Sequence, residues 1–162
     1  RELGEQLMPL GMLVTLDSIF NRVIQNWKRG KTTWVFADEF YLLFRYPYSA
    51  EFFYKLWKRI RKYNGMQIII TQNIADFVGT EELARKSTAI INACQYSFIF
   101  PLSPNDMHDL CRLYEKAGAI NESEQEEIVN NGRGRAFVVT SPSSRTGINI
   151  TATKDMERLF TV

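Results

Sequence analysis

The chain has 162 residues, 45% of them hydrophobic and 23% charged, a composition typical of a globular domain with a sizeable core. Its formal net charge of +2 neither requires nor excludes a nucleic-acid partner. No apolar run approaches the ~18 residues of a membrane-spanning helix. Cys94, Cys111 and His108 lack metal-binding spacing, and two core thiols are the simpler reading of the cysteines.

The first predicted element is an amphipathic helix from about Met8 to Trp27, in which apolar residues recur every three or four positions. Lys28 and Arg29 suit the negative end of its dipole, and Gly30 can end it.

A short apolar run, Trp34–Ala37, leads directly into two carboxylates, Asp38 and Glu39. Such a run predicts a buried strand of a parallel sheet, and ligands bind outside the carboxyl ends of such strands. An Asp there can hold Mg²⁺, and a Glu can orient or deprotonate a water molecule, as in the Walker B strand of a nucleotide hydrolase. The alternative is that both acids mark a solvated strand end or a helix start.

The sequence Gly30-Lys31-Thr32 resembles the tail of a phosphate-binding P-loop. A P-loop needs a glycine five positions before its second one, where this chain has Gln25, and it follows a strand and opens a helix. Here the predicted order is helix and then strand. We therefore do not expect this stretch to bind phosphate.

A second amphipathic helix is predicted from Ser49, as its N-cap, to about Tyr63, with Gly65 as the stop. One face is basic and could contact nucleic acid or an acidic partner, although a solvated face is the simpler reading. The candidate nucleic-acid residues on this face are Lys55, Lys58, Arg59 and Lys62.

Residues 66–71 predict a second buried strand, followed by Gln72 and Asn73. A strand–helix–strand order makes the two strands parallel, so these amides should lie at the sheet edge that carries Asp38 and Glu39. A Gln there can hydrogen-bond a γ-phosphate or the attacking water. The alternative is that the Gln72 and Asn73 side chains only form hydrogen bonds within a turn.

The remaining pattern predicts an α/β fold with a mainly parallel sheet flanked by helices and a C-terminal antiparallel hairpin. Its predicted elements are a helix from 81 to 92 capped by Thr80, a strand at 95–100, a helix opened by Ser103 and Pro104, a short helix with a capping box of Ser123 and Glu126, paired strands at 135–140 and 146–151, and a last helical turn at 154–160.

Four separated blocks, residues 10–17, 34–40, 52–59 and 70–73, are similar in content and order to the conjugative type IV secretion ATPases of the VirB/TrbE/CagE type. The resemblance spans about residues 3 to 140. It implies a partial RecA-like P-loop NTPase fold whose cofactors are ATP and Mg²⁺.

The resemblance also implies roles for individual residues. Asp38 and Glu39 would be the Walker B pair, with Asp38 as the Mg²⁺ ligand, and Gln72 the sensor glutamine, with Asn73 beside it at the nucleotide. Arginines of such motors reach a neighbouring subunit's nucleotide and stabilise transition-state charge. Arg133, in a glycine-flanked motif, is the first candidate, and Arg135 and Arg85 are weaker ones; bracing a turn or pairing with an acid is the alternative role.

The departure from the family pattern is the absence of a Walker A loop. We therefore expect residues 1–162 to be a single domain, the C-terminal portion of a longer ATPase, inactive by itself and able to self-associate through exposed sheet edges. In the parent we expect a homo-oligomer, a hexamer or dimer, that works with other secretion-channel subunits at the cytoplasmic face of the bacterial membrane. DNA is a possible further partner, and the sequence leaves direct DNA binding open. The alternative function is a non-catalytic α/β interaction or DNA-binding module.

Overall fold

A computed structural model describes residues 2–44, 46–72, 74–140 and 144–160. They form two compact units, residues 1–93 and 94–162. The expectation of a single domain stays a prediction, because compact units do not show whether the chain folds as one. The elements in chain order are α1 (Glu2–Lys28), β1 (Thr33–Ala37), α2 (Tyr41–Phe44), α3 (Pro47–Arg59), a 3₁₀ helix (Ile60–Tyr63), β2 (Gly65–Ile69), α4 (Ala75–Val78), α5 (Glu81–Ala93), β3 (Tyr96–Ile99), α6 (Pro104–Gly118), α7 (Glu122–Asn130), β4 (Arg135–Thr140), β5 (Ser144–Asn149) and α8 (Lys154–Phe160).

Helix α1 ends as the sequence predicts. Gly30 has φ +69°, a left-handed conformation that glycine adopts without steric cost, and its amide donates to the Trp27 carbonyl at 2.9 Å. Across the described residues, no helix has the length and apolarity needed to cross a membrane.

The first unit contains a parallel pair of strands. Strand β1 pairs with β2 in a register that sets Thr33 opposite Gly65 and Ala37 opposite Ile69. Helix α1 contacts both β1 and α3. The buried apolar side chains of this unit include Val23, Phe40, Ala50, Phe53, Leu56 and Ile60.

Strand β1 is not buried on both faces, and this expectation was wrong. Trp34 and Phe36 are 55% and 64% exposed, whereas Ala37 is buried. Side chains alternate across a strand, so one face of β1 is directed to the core and the other is open. The sequence could not predict which face is covered, because apolar residues occupy both faces of the strand.

Helix α3 begins earlier than predicted, at Pro47 rather than after a Ser49 cap. Proline suits the first helical turn because it needs no hydrogen bond from its own nitrogen. Ser49 lies inside the helix, fully buried, and its hydroxyl contacts Met12 Sδ at 2.7 Å. At the other end Asn64, with φ +50°, ends the 3₁₀ turn before Gly65 begins β2.

The second unit is a three-stranded antiparallel sheet in the order β3-β4-β5. The predicted C-terminal hairpin is present as β4 and β5. Helices α6 and α7 contact each other, and α7 contacts β4. The core of this unit includes Leu113, Tyr114, Ile128, Ala136 and Phe137.

Helix starts in this unit are set by capping side chains. Ser103, the residue before Pro104, caps α6 as predicted: its hydroxyl accepts a hydrogen bond from the Asp106 amide. The capping box predicted at Ser123 and Glu126 was misplaced by two residues: it is formed by Asn121 and Glu124. Asn and Ser cap about equally well, so composition could not choose between the two registers.

The α/β class is confirmed, with one parallel and one antiparallel sheet among the described residues. The third strand departs from the expected parallel arrangement, because β3 pairs antiparallel with β4 and sets Tyr96 opposite Thr140. Strand β4 pairs with β5 along one edge and with β3 along its other edge.

Candidate active site

The carboxyl ends of β1 and β2 meet at one edge of the parallel pair. Asp38 and Glu39 follow Ala37 directly, and Gln72 follows Ile69 by three residues. Two hydrogen bonds extend the pairing beyond the strands, from the Ile70 amide to the Ala37 carbonyl at 2.9 Å and from the Phe40 amide to the Ile70 carbonyl at 3.1 Å. The two polar segments therefore leave the sheet side by side.

Glu39 adopts an uncommon backbone conformation at this edge. Its φ is +48°, in the left-handed region that non-glycine residues seldom enter. Asp38 Oδ1 accepts a hydrogen bond from the Glu39 amide at 2.8 Å, and this bond stabilises the turn. Left-handed non-glycine residues cluster at functional sites, where the surrounding structure must hold them in place.

Phe40 anchors the turn from below. It is fully buried, and its ring packs edge-on against Phe53 at 4.9 Å and stacks on Phe77 at 6.1 Å between centroids. A buried aromatic residue immediately after Glu39 therefore holds the backbone of this turn against the core.

Glu39 and Gln72, predicted on separate segments, are brought together. Gln72 Nε2 donates to Glu39 Oε1 at 3.3 Å. Gln72 is exposed and Glu39 half-buried, so both remain accessible to a ligand. In the described part of the chain Glu39 forms no ion pair. Asn73 lies outside the described residues.

Asp38 fits the requirements of a magnesium ligand. It is exposed, and only its Oδ1 has a partner among the described residues, which leaves Oδ2 for a hard cation. Within the described ranges, no group of three or more acidic, His or Cys side chains is placed so that it could hold a metal ion. Such an ion would therefore take its other ligands from water and phosphate, as Mg²⁺ commonly does.

The stretch Gly30-Lys31-Thr32 connects α1 to β1, so it follows a helix and precedes a strand, the reverse of a P-loop. Thr32 Oγ1 accepts from Asn64 Nδ2 at 3.0 Å. These residues tie the amino ends of β1 and β2 together, opposite the edge that carries Asp38.

The three candidate arginines lie in different places. Arg85 is exposed on α5 in the first unit. Arg133 and Arg135 belong to the second unit, Arg133 exposed in the turn before β4 and Arg135 at the first position of β4. Gly134 has φ +83°, and a Cβ there would lie 3.4 Å from the Ile150 carbonyl, which explains the glycine in this turn. Within the described ranges none of the three forms a salt bridge.

The basic face predicted on α3 is partly engaged. Lys55 pairs with Glu51 at 3.3 Å, and the Lys58 ammonium lies 4.2 Å from the Tyr54 ring centroid while it donates to the Tyr54 hydroxyl. Arg59 and Lys62 are exposed and have no salt bridge among the described residues.

The two cysteines are free and half-buried. Burial raises the pKa of the Cys94 thiol to about 12 and also raises the pKa of Cys111. Because the thiolate is the reactive form, neither thiol is suited to act as a nucleophile near neutral pH.

Comparison with solved structures identifies the protein class that this fold resembles. The structure of VirB4 of Thermoanaerobacter pseudethanolicus matches 78% of this chain, with a TM-score of 0.68 and 29% sequence identity. The chain resembles part of VirB4. The resemblance predicted from the sequence blocks is thereby confirmed, and it relates the chain to the VirB4-type secretion ATPases.

The VirB4 match concerns a portion of that protein. It covers 33% of the VirB4 chain, so the present chain spans about a third of that length. The mixed α/β architecture corresponds to part of a VirB4 ATPase-domain fold. No protein-family profile matches the chain, and no curated protein matches it.

Proposed function

We propose that the chain is the Walker B half of the RecA-like domain of a VirB4-type ATPase, a motor that energises type IV secretion and conjugative DNA transfer. One observation carries the proposal: in a chain with the VirB4 fold, Glu39 and Gln72 meet at the carboxyl edge of a parallel strand pair. This is where open α/β sheets bind ligands.

Glu39 acts as the general base. Its Oε1 is held by Gln72, which leaves Oε2 to accept the proton of an attacking water molecule. Proton transfer to a positioned carboxylate contributes about 10²–10⁴-fold to a rate. Gln72 restricts the carboxylate and can donate its second amide hydrogen to the water or to a phosphate oxygen.

Asp38 holds Mg²⁺, directly or through a bound water molecule, while its other oxygen maintains the turn. The metal ion, when bound with ATP, supplies positive charge against the phosphates. Asn73 completes the predicted nucleotide-binding set. Arg133 is proposed as the arginine that reaches a neighbouring subunit's nucleotide, with Arg135 and Arg85 as further candidates.

We further propose that this piece alone binds ATP weakly and does not hydrolyse it. The sequence contains no phosphate-cradling loop, and backbone amides of such a loop supply most contacts to the β- and γ-phosphates. In the parent protein, a homo-oligomer, a hexamer or dimer, works with other channel subunits at the cytoplasmic face of the membrane. The open strand edges of the fragment invite self-association.

The test compares ATP hydrolysis by the polypeptide extended upstream to include a P-loop, with and without Glu39→Gln. The amide is isosteric and can still accept from Gln72, so folding and ATP binding should persist. Turnover should fall at least about 100-fold. Glu115→Gln, an exposed acid on α6, serves as the matched control and should retain full turnover.

Wild-type turnover in the Glu39→Gln protein would refute the base assignment. A folded, Mg²⁺-supplied parent that hydrolyses no ATP would refute the ATPase proposal itself.

A nucleic-acid-binding module is the second candidate, and one observation favours it. The Trp27 ring contacts Tyr63 at 5.6 Å between centroids, so the basic end of α1 lies beside the basic 3₁₀ turn. Residues 27–31 and 59–63, at these two places, together carry Lys28, Arg29, Lys31, Arg59, Arg61 and Lys62, and no carboxylate.

Binding to a phosphate backbone through these residues would weaken steeply with salt, with a slope set by the number of cations engaged. The variant Arg59→Gln/Lys62→Gln should then lower affinity and reduce that slope by about two. The variant Lys116→Gln, which removes an exposed lysine on α6 in the second unit, is the control. Salt-independent or absent binding would refute this candidate.

A further inference from the structure

Arg145 connects strand β5 to the turn between α6 and α7. Its Nη1 donates to the Ala119 carbonyl at 2.9 Å and to Glu124 Oε2 at 2.8 Å, and its Nη2 donates to the Gly118 carbonyl. Gly118 has φ +106°, and a Cβ there would lie 2.8 Å from the Arg145 guanidinium. The turn is therefore built around this side chain.

The same contacts hold the capping box of α7. Glu124 Oε2, which accepts from Arg145, also accepts the Asn121 amide at 2.9 Å, and Asn121 Oδ1 accepts the Glu124 amide at 2.9 Å. The side chains of Arg145 and Glu124 are only 19% and 16% exposed. A largely desolvated guanidinium that donates to one carboxylate and two backbone carbonyls has a more defined geometry than a surface ion pair.

One turn along α7, a second carboxylate reaches the same strand. Gly147 lies two residues after Arg145 and so on the same face of β5, and a Cβ there would lie 2.0 Å from Glu127 Oε1. Ile128, between these contacts and the helix end, is fully buried. Helix α7 thus contacts β5 at two points one turn apart, Glu124 against Arg145 and Glu127 in the space that Gly147 leaves.

The turn that carries Arg133 begins directly after α7. We propose that Arg145 is a positioning residue that acts through Glu124 and α7 to set the orientation of Arg133 toward a neighbouring subunit. This inference depends on the proposed function, because it gives Arg145 a role only where Arg133 assists hydrolysis. The three hydrogen bonds of Arg145 described above all lie within its own unit.

The experiment uses the full-length oligomer and the variants Arg145→Gln and Arg145→Lys. Lysine keeps the positive charge but cannot donate to three acceptors in a plane. Arg145→Lys should therefore behave much like Arg145→Gln rather than like the unaltered protein. Arg112→Gln is the matched control, because Arg112 is an exposed arginine 3.7 Å from Asp109. Circular dichroism verifies the fold, and Arg145→Lys carries the test where Arg145→Gln does not fold.

Two readouts are then compared. Hydrogen exchange should rise at least about tenfold at the amides of residues 122–134. The kcat for ATP should fall about 10–100-fold with KM unchanged, as expected for a misplaced group that acts only in the transition state. Arg112→Gln should change neither.

A double-mutant cycle with Arg133→Ala identifies the route of the effect. If Arg145 acts through Arg133, the double variant has the same kcat as Arg133→Ala alone. Additive losses, or wild-type turnover in Arg133→Ala, would overturn the inference. The proposed function is judged separately by Glu39→Gln, so a protein in which only that variant is inactive would retain the ATPase assignment and lose the positioning role.

Discussion

Gln67 lies in the middle of β2, opposite Val35, and is the most informative single position for stability. Both polar atoms of its side chain are buried, and neither has a hydrogen-bond partner among the described residues. A buried amide without a hydrogen-bond partner destabilises the folded protein by about 1–3 kcal/mol, because the hydrogen bonds it made to water are not replaced. The change Gln67→Met keeps the length and unbranched shape of the side chain and removes both polar atoms.

We expect Gln67→Met to raise the free energy of unfolding of the first unit by about 2 kcal/mol. For a unit of 93 residues, that corresponds to a Tm increase of about 8–16 °C. Thermal unfolding followed by tryptophan fluorescence is a selective assay, because the three tryptophans, Trp27, Trp34 and Trp57, all belong to this unit.

Gln25→Met, at an exposed position of α1, is the matched control and should change the free energy of unfolding by less than about 0.5 kcal/mol. A lower Tm for Gln67→Met than for the unaltered chain would refute the reasoning, since it would mean that the amide is engaged in the folded protein.

Two further predictions concern the second unit. Asn121→Ala should lower its stability by about 1 kcal/mol in urea unfolding followed by circular dichroism, because α7 loses its cap; an unchanged midpoint would contradict the capping geometry. The raised pKa of Cys94, about 12, gives a contribution to stability that is complete below the thiol's ordinary pKa of about 9 and is lost as pH rises toward 12. Cys94→Ala should therefore lose less stability than the unaltered chain between pH 8 and pH 10.5, and parallel losses in both proteins would contradict this.

The position of the candidate site could be predicted from the sequence, because it depends only on the relative direction of two strands. Two strands joined through a helix run parallel, so residues that follow them meet at one edge, and Glu39 and Gln72 do so. The left-handed backbone at Glu39 could not be read in this way. It follows from the buried Phe40 and the Asp38 hydrogen bond acting together, and no local preference of glutamate predicts it.

Contacts between distant segments were the features that sequence patterns missed. The bond from Arg145 to Ala119 spans 26 residues, and nothing in the spacing of either segment indicates it. Similarly, the apolar run that contains Trp34 predicts a strand but not which of its faces is covered. That depends on how many helices pack against the sheet, which is a property of the whole unit.

The open outer face of β1 also gives this protein a built-in optical probe. The Trp34 and Phe36 rings stack at 6.3 Å between centroids while more than half of each side chain is exposed to solvent. Indole emission moves to shorter wavelength when water is removed from the ring. In a chain with Trp27→Phe and Trp57→Phe, the wavelength of maximum Trp34 emission would show whether another polypeptide segment covers this face of the sheet, without any attached label.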